Sequence, residues 1–155
     1  MSDTERKPYK VGYTTGVFDM FHIGHLNILR RAKEQCEFLI VGVSVDALVI
    51  EYKKKKPTIQ FEDRVAIVGF FFLDRVAIVE AIKYVDRVVP QTSMDKTKAW
   101  DNLRFDVIFH GDDWKGSNMY DKIEAELKAI GVDMVFLPHT EGISSTALFG
   151  KTGID

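Results

Sequence analysis

Cysteine and proline are scarce in this chain of 155 residues, which contains one Cys and four Pro. The single cysteine, Cys36, cannot form a disulfide within the chain, so a small secreted fold held by disulfides is excluded. The N-terminal segment is polar and lacks the apolar stretch of a secretory signal. We therefore predict a cytoplasmic location.

Long apolar runs and an excess of one charge are missing as well. The longest apolar run, residues 65–73, ends at Asp74, whereas a membrane-spanning helix needs about 18 or more apolar residues. Lys and Arg number 21 against 23 Asp and Glu, for a formal net charge of −2, without the basic excess typical of nucleic-acid binding. We expect neither a membrane nor a nucleic-acid partner.

The chain has the 46% hydrophobic content of an ordinary globular protein and the length of one domain. We predict a disordered leader over residues 1–10 and a single domain over residues 11–155. Short apolar runs there alternate with amphipathic segments, which predicts an α/β fold with five parallel strands between two helix layers. The predicted strands are 11–14, 38–44, 85–89, 107–109 and 134–137, and the predicted helices are 26–36, 63–84, 117–130 and 144–149.

An 11-residue duplication lies within the second predicted helix. The sequence Asp-Arg-Val-Ala-Ile-Val of residues 63–68 recurs over residues 74–79. Eleven residues make about three helical turns, so both copies would present nearly the same face. Three consecutive phenylalanines, residues 70–72, join them and need cover. Additional core, an interface with a second subunit and an insertion without function remain open.

The most informative motif follows the first predicted strand and opens the first predicted helix. His22 and His25 are three residues apart, so they share one face at a helix N-terminus, which attracts anions through free N–H groups and the helix dipole. Gly24 removes a side chain where a phosphate must approach the backbone. We interpret this motif as a polyphosphate site, with a two-histidine metal site or purely structural histidines as alternatives.

A lysine run over residues 53–56 follows the second predicted strand. Such a run is most often a solvated face. A loop beyond the carboxyl end of a strand can also bring ammonium groups over phosphates and offset charge that grows in a transition state. In an extended segment Lys53 and Lys55 point the same way.

Two more segments follow predicted strands. His-Gly-Asp-Asp-Trp over residues 110–114 supplies two acids that suit a helix cap or turn, a base or ribose contact, or a Mg²⁺ ligand. The hydroxyl-rich turn over residues 139–146 follows the last strand, and either Ser144 or Ser145 is expected to cap the final helix. Its hydroxyls and free N–H groups would form a second phosphate cradle.

These motifs, in this order, resemble the cytidylyltransferase family over roughly residues 11–146. Residues 22–25 are similar to its His-x-Gly-His signature and residues 140–146 to its Thr-Glu-Gly-Ile-Ser-Thr signature, most closely as in the bacterial branch that acts on glycerol 3-phosphate. The resemblance implies a three-layer, Rossmann-like nucleotidyltransferase fold. It also implies a homodimer that converts CTP, with Mg²⁺, and glycerol 3-phosphate to CDP-glycerol and pyrophosphate by direct in-line attack, for teichoic acid or capsule precursors.

The resemblance also assigns residues to roles. His22 and His25 would contact the phosphates and stabilise the pentavalent centre, with Lys53 facing the acceptor phosphate and Lys55 the triphosphate. Lys83, in place of a family arginine, would help to bind the acceptor. The metal ligands stay unassigned. The nucleotide-binding residues would be Val17, Phe18, Asp19, Gly24, Asp113, His139, Thr140, Glu141, Gly142, Ile143, Ser144, Ser145 and Thr146.

Departures from the family pattern leave several points open. His139 stands where the family has arginine, which replaces a permanent forked phosphate contact by a weaker, pH-dependent one. Either Lys96 or Lys98 could be the downstream acceptor lysine. Alternative functions are transfer to phosphocholine, phosphoethanolamine or another polyol phosphate, use of ATP in place of CTP, and nucleotide binding without turnover.

Overall fold

Five parallel strands form one sheet in the computed structural model, which describes residues 6–18, 21–45, 47–48, 72–112 and 115–141. The strand order is β3-β2-β1-β4-β5. The strands are β1 (Tyr9–Gly16), β2 (Cys36–Ser44), β3 (Arg87–Gln91), β4 (Val107–Gly111) and β5 (Asp133–Leu137). The helices are α1 (Ile23–Gln35), α2 (Phe72–Glu80), α3 (Lys96–Leu103) and α4 (Asn118–Lys128). The predicted α/β fold with a parallel five-stranded sheet is confirmed.

Each face of the sheet is covered by two helices. On one face α1 and α2 bury Leu29, Ala32 and Val79 against the sheet. On the other face α3 and α4 cover Tyr13 and Ile108. Because β1 is followed by α1 on one face and β4 by α4 on the other, their carboxyl ends form the crevice where ligands of such sheets bind.

The helix α3 was not predicted. It has only eight residues, and its three apolar positions are too few to produce a helical period. Its ends carry the local signals instead. The Asp95 carboxylate accepts a hydrogen bond from the Thr97 N–H, and Arg104 adopts a left-handed conformation with a φ of 52° at the C-cap, both usual helix boundaries.

Other element boundaries differ from the predicted ones. β1 begins at Tyr9, so it takes up the last two residues of the predicted leader. The predicted helix 63–84 is helical over Phe72–Glu80, and residues 81–84 form turns. Its earlier part and the predicted helix 144–149 lie outside the described residues.

The duplication is described only in its second half. Phe72 packs against the hydrophobic core, whereas Leu73 is 76% exposed. For Phe72 the interpretation as additional core is therefore confirmed. Phe70 and Phe71 lie outside the described residues, so the interface interpretation stays a prediction. None of the helices described has the length and apolar content needed to cross a membrane.

Candidate active site

Two histidines at the start of α1 cap the helix and are joined by a hydrogen bond. The Nδ1 of His22 accepts a hydrogen bond from the Gly24 N–H at 3.0 Å, and the His22 N–H donates to the Nδ1 of His25 at 3.2 Å. This is a capping box in which imidazoles stand where Ser or Thr and Glu usually occur. The two rings stack, with centroids 3.8 Å apart. We call His22 and His25 the imidazole pair.

The imidazole pair is neutral in the free protein near pH 7. Burial lowers the pKa of His22, and burial together with the neighbouring His22 lowers the pKa of His25 to about 3. Because both Nδ1 atoms accept hydrogen bonds, each neutral ring carries its proton on Nε2. The helix start therefore presents two N–H donors, and a bound phosphate would raise both pKa values.

The segment between β1 and α1 is held by aromatic packing. The Phe18 ring lies edge-on to His25 with centroids 5.5 Å apart, and Phe21 lies 5.3 Å from the same imidazole. Phe18 is only 5% exposed and has a left-handed φ of 57°, a conformation that persists only when its surroundings enforce it. A Cβ at Gly16 would lie 3.0 Å from the Phe18 ring, so a larger residue there would force this ring to shift by a few tenths of an ångström.

The start of the hydroxyl-rich turn lies against α1. The Asn27 side-chain amide donates to the Thr140 hydroxyl at 2.8 Å, and the Arg31 guanidinium donates to the Pro138 carbonyl at 2.7 Å. The structure thus brings the helix of the imidazole pair next to His139 and Thr140. Glu141, which follows them, is exposed.

His139 pairs with an acid that was not among the predicted site residues. Its Nδ1 lies 2.6 Å from the Asp112 carboxylate, and its backbone N–H donates to the same oxygen at 3.3 Å. The hydrogen bond from the His139 side chain lowers the pKa of Asp112. The pair ties the loop after β4 to the loop after β5, beside the crevice.

A second group of buried polar side chains lies at the ends of β1 and β4, on the face of α3 and α4. Lys96 is 2% exposed, and its ammonium donates to the Thr15 hydroxyl at 3.0 Å. His110 is 4% exposed, its ring stands edge-on to Tyr120, and its Nε2 has no hydrogen-bond partner among the described residues. We call Lys96, Thr15 and His110 the Lys96 cluster.

Electrostatics mark the Lys96 cluster as a place for an anion. Burial lowers the pKa of Lys96 to about 8, and burial together with the charge of Lys96 lowers the pKa of His110 to about 3. Within the described part of the chain no carboxylate forms an ion pair with Lys96. A buried cation without a counter-charge is costly, so an anionic ligand there would be strongly favoured.

A cavity of about 300 Å³ adjoins the Lys96 cluster between α3 and β3. Lys96 lines it, and its other polar lining residues include Gln91, Thr92, Ser93 and Asn102. Lys98 also lines the cavity but is exposed. The sequence offered Lys96 and Lys98 as alternatives for the lysine that binds the acceptor. Of these two, only Lys96 is buried beside the crevice.

Lys83 does not come together with the imidazole pair. It lies in the turn after α2, where its ammonium sits 5.3 Å from the centroid of the Tyr84 ring. This turn precedes β3, so it lies at the end of the sheet where the parallel strands begin. The imidazole pair follows β1, at the end where the strands finish.

Other predicted site residues have these placements. Val17 and Phe18 form the held segment after β1, and Gly24 donates its N–H to His22. In the residues that the structure covers, no three His, Cys, Asp or Glu side chains are grouped so that they could hold a metal. The remaining predicted site residues lie outside the described ranges: Asp19, Lys53, Lys55, Asp113, Gly142, Ile143, Ser144, Ser145 and Thr146.

Comparison with known proteins agrees with these features. A family model described as cytidylyltransferase-like matches residues 13–69. The glycerol-3-phosphate cytidylyltransferase of Bacillus subtilis (strain 168) is 34% identical over 142 residues, which are 87% of this chain and 91% of that protein. The ethanolamine-phosphate cytidylyltransferase of Dictyostelium discoideum is 33% identical over 153 residues, 96% of this chain and 38% of that longer protein.

Solved structures share the fold. The lipopolysaccharide core biosynthesis protein from Thermoplasma volcanium GSS1 superposes with a TM-score of 0.66 at 24% identity, over 86% of this chain and 99% of that one. A pantothenate synthetase from Thermus thermophilus gives a TM-score of 0.62 at 15% identity, over 90% of this chain and 61% of that one. At these identities the likeness concerns the fold alone.

Proposed function

The chain belongs to the cytidylyltransferase family and is thus a nucleotidyltransferase, and from this premise we propose that it converts CTP and glycerol 3-phosphate to CDP-glycerol and pyrophosphate. The observation that carries the proposal is the tautomeric state of the imidazole pair. Two Nε2–H donors, fixed side by side at a helix N-terminus, are suited to the oxygens of a polyphosphate.

The proposed reaction is a single displacement at phosphorus. A phosphate oxygen of glycerol 3-phosphate attacks the α-phosphorus of CTP and forms a new P–O bond. The bond from the α-phosphorus to the bridging oxygen of the β-phosphate breaks, and that oxygen leaves with the pyrophosphate. No covalent enzyme intermediate is required, so the protein acts by positioning the substrates and by stabilising charge.

Different residues of the chain would bind the nucleotide, bind the acceptor and stabilise the developing charge. The Nε2–H groups of His22 and His25 would donate to the α- and β-phosphates as negative charge builds on them. Thr140, held against α1 by Asn27, begins the segment that would bind the nucleotide from the other side. Lys53 and Lys55 keep their predicted roles at the acceptor phosphate and the triphosphate.

Mg²⁺ is proposed to arrive with the triphosphate as part of the substrate. It would neutralise the charge of the β- and γ-phosphates and so ease departure of pyrophosphate. Two acids follow β4, Asp112 and the predicted site residue Asp113. Either of them is a candidate to contact such an ion or its bound waters. We assign neither of them as a ligand.

The Lys96 cluster is proposed to receive the phosphate of the acceptor. Its ammonium, hydroxyl and imidazole can all donate hydrogen bonds, and a phosphate would supply the counter-charge that Lys96 lacks among the described residues. The polar, uncharged side chains of the adjoining cavity suit the hydroxyl groups of a polyol. Tyr13 is the one aromatic residue among the described residues lining it, so this part of the lining shows no aromatic cage for a quaternary ammonium.

Ethanolamine phosphate is the second candidate acceptor, since a relative with 33% identity is an ethanolamine-phosphate cytidylyltransferase. Its ammonium group would need an acid in the acceptor pocket, and Asp95 is the one carboxylate in the described lining, beside Arg87, Lys96 and Lys98. This excess of positive charge favours glycerol 3-phosphate.

We further propose a homodimer that supplies CDP-glycerol for a polymer such as teichoic acid or capsule.

A matrix of nucleotides and acceptors tests the proposal. Pyrophosphate release is measured for CTP and ATP with glycerol 3-phosphate, ethanolamine phosphate, phosphocholine and another polyol phosphate. We expect the highest kcat/KM for CTP with glycerol 3-phosphate. Release with ATP but not CTP would overturn cytidylyl transfer, a preference for ethanolamine phosphate would establish the second candidate, and CTP binding without release would indicate a binding module.

A further inference from the structure

The two copies of the duplicated segment are identical in sequence, and the structure gives the second copy a definite place in the fold. Residues 74–79 lie in α2, which packs on β2 and β3. Val79 is fully buried in the core, and Val76 packs against that core. The second copy therefore supplies the helix that crosses over between β2 and β3.

One charged side chain of the second copy reaches the segment that precedes the imidazole pair. Arg75 is fully buried, with 0% exposure, and its guanidinium donates to the Val17 carbonyl at 2.8 Å. The guanidinium also lies 6.0 Å from the centroid of the Phe72 ring. Val17 is followed by Phe18, the residue with the left-handed φ whose ring packs on His25.

We propose that Arg75 is a positioning residue of the nucleotide site, and that the first copy, with Arg64, is dispensable for that site. The family model ends at residue 69, so its match includes Arg64 and stops before Arg75. The inference rests on the proposed function for its kinetic readout, and a spectroscopic readout makes it independent of that function.

The physical reason is a charge-assisted hydrogen bond from a buried guanidinium to a partly buried carbonyl. Removing the guanidinium would take this donor away from the Val17 carbonyl, which favours a shift of the backbone toward another donor or toward water. Phe18 would move with it, and the imidazole pair rests on the Phe18 ring. A displacement of about 1 Å at a reacting group can cost on the order of 10²-fold in rate.

The duplication provides a matched pair of substitutions. Arg75→Met and Arg64→Met make the same change within the same six-residue sequence. We expect Arg75→Met to lower kcat/KM for CTP by about tenfold or more, with a fall in kcat, and to alter KM for glycerol 3-phosphate by less than about twofold. Arg64→Met should change neither value by more than about twofold. Arg75→Lys should restore part of the loss, because an ammonium can still donate to the carbonyl. Equal effects at both positions would overturn the proposal.

Histidine NMR separates this inference from the proposed function. The chain has four histidines, and Arg75→Met should shift the imidazole signals of His22 and His25 but not those of His110 and His139. Arg64→Met should shift none of them. If the wild type turns over no nucleotide, the proposed function fails, and these signals still decide the role of Arg75. Unchanged signals of the imidazole pair in a folded Arg75→Met protein would refute it.

A deletion keeps the test valid if Arg75→Met does not fold. Removing residues 63–73 and removing residues 69–79 give the same polypeptide, with one copy left between Glu62 and Glu80. We expect this shorter chain to keep the NMR signals of the imidazole pair and the affinity for CTP within about threefold. Arg→Lys at its single remaining copy should then weaken CTP binding. Loss of the imidazole signals on deletion alone would show that the first copy is required.

Discussion

The imidazole pair and the Lys96 cluster lie at neighbouring strand ends, on opposite faces of the sheet, and they differ in how far their polar groups are satisfied. In the imidazole pair both Nδ1 atoms already have backbone partners, and aromatic rings hold the side chains in place. In the Lys96 cluster the His110 Nε2 has no partner within the described residues, and Lys96 has only the Thr15 hydroxyl.

This difference separates two ways of preparing a ligand site. The imidazole pair is organised before substrate arrives, so its contribution should be to the transition state, where fixed donors cost no reorganisation. In the Lys96 cluster a buried ammonium has no ion-pair partner among the described residues, so we expect it to contribute to ground-state binding of an anion. Substitutions in the first should therefore act on kcat, and those in the second on KM for the acceptor.

The largest effect is expected at His22. His22→Asn retains a side chain that can cap α1 but lacks the Nε2–H donor, and we expect it to lower kcat by about 10²-fold or more. His22→Ala loses the donor and also the cap, so its melting temperature should fall while its kcat falls by a similar factor. The measurements are steady-state kinetics and thermal unfolding. Wild-type kcat in His22→Asn would reduce His22 to a helix cap.

An intermediate effect is expected at Lys96. Lys96→Met should raise KM for glycerol 3-phosphate by about tenfold or more, because it removes the buried positive charge. We expect no fall in the melting temperature, since the variant removes a buried charge that has no ion-pair partner among the described residues. Lys98→Met, on the same helix and lining the same cavity but exposed, should raise KM for glycerol 3-phosphate less than Lys96→Met does. A larger effect at Lys98 would contradict the assignment of the acceptor phosphate to the Lys96 cluster.

The same cluster predicts a pH dependence whose sign is fixed by the pKa of Lys96. That pKa is lowered to about 8, so in the free protein the side chain is charged below this pH and becomes neutral above it. KM for the acceptor should therefore rise as the pH increases through about 8, while bound phosphate shifts the midpoint upward in the complex. Lys96→Met should abolish this dependence, and a dependence that survives the substitution would have another origin.

The sequence predicted the imidazole pair, whereas it offered Lys96 only as one of two acceptor lysines and did not predict that it groups with Thr15 and His110. His22 and His25 are three residues apart, so the period of a helix is enough to bring them together. Lys96 and Thr15 are 81 positions apart, and they meet only because α3 crosses back over the sheet from β3 to β4. The missed helix α3 therefore also concealed this part of the candidate site.

The identical sequences of the two duplicated copies set a second limit on what could be predicted about the fold. Both copies of the duplicated segment have the same apolar pattern, so periodicity could not decide which copy packs on β2 and β3. The five strands were predicted because β-branched and aromatic residues recur in short runs between polar segments. The sequence also could not place Lys83 relative to the imidazole pair, since the end of the sheet at which a turn lies depends on the direction of the preceding helix.

The smallest effect is expected at His139, which stands outside both groups and pairs with Asp112 at 2.6 Å. His139→Arg should lower KM for CTP a few-fold, because a guanidinium is permanently charged and offers a forked contact to phosphate. His139→Gln retains hydrogen bonding without charge, and KM for CTP should rise. If both variants gave the same KM for CTP, the charge at this position would not contact the nucleotide. His139 would then serve only to tie the loops after β4 and β5 together, and the burden of phosphate binding would fall on the imidazole pair and the residues after Thr140.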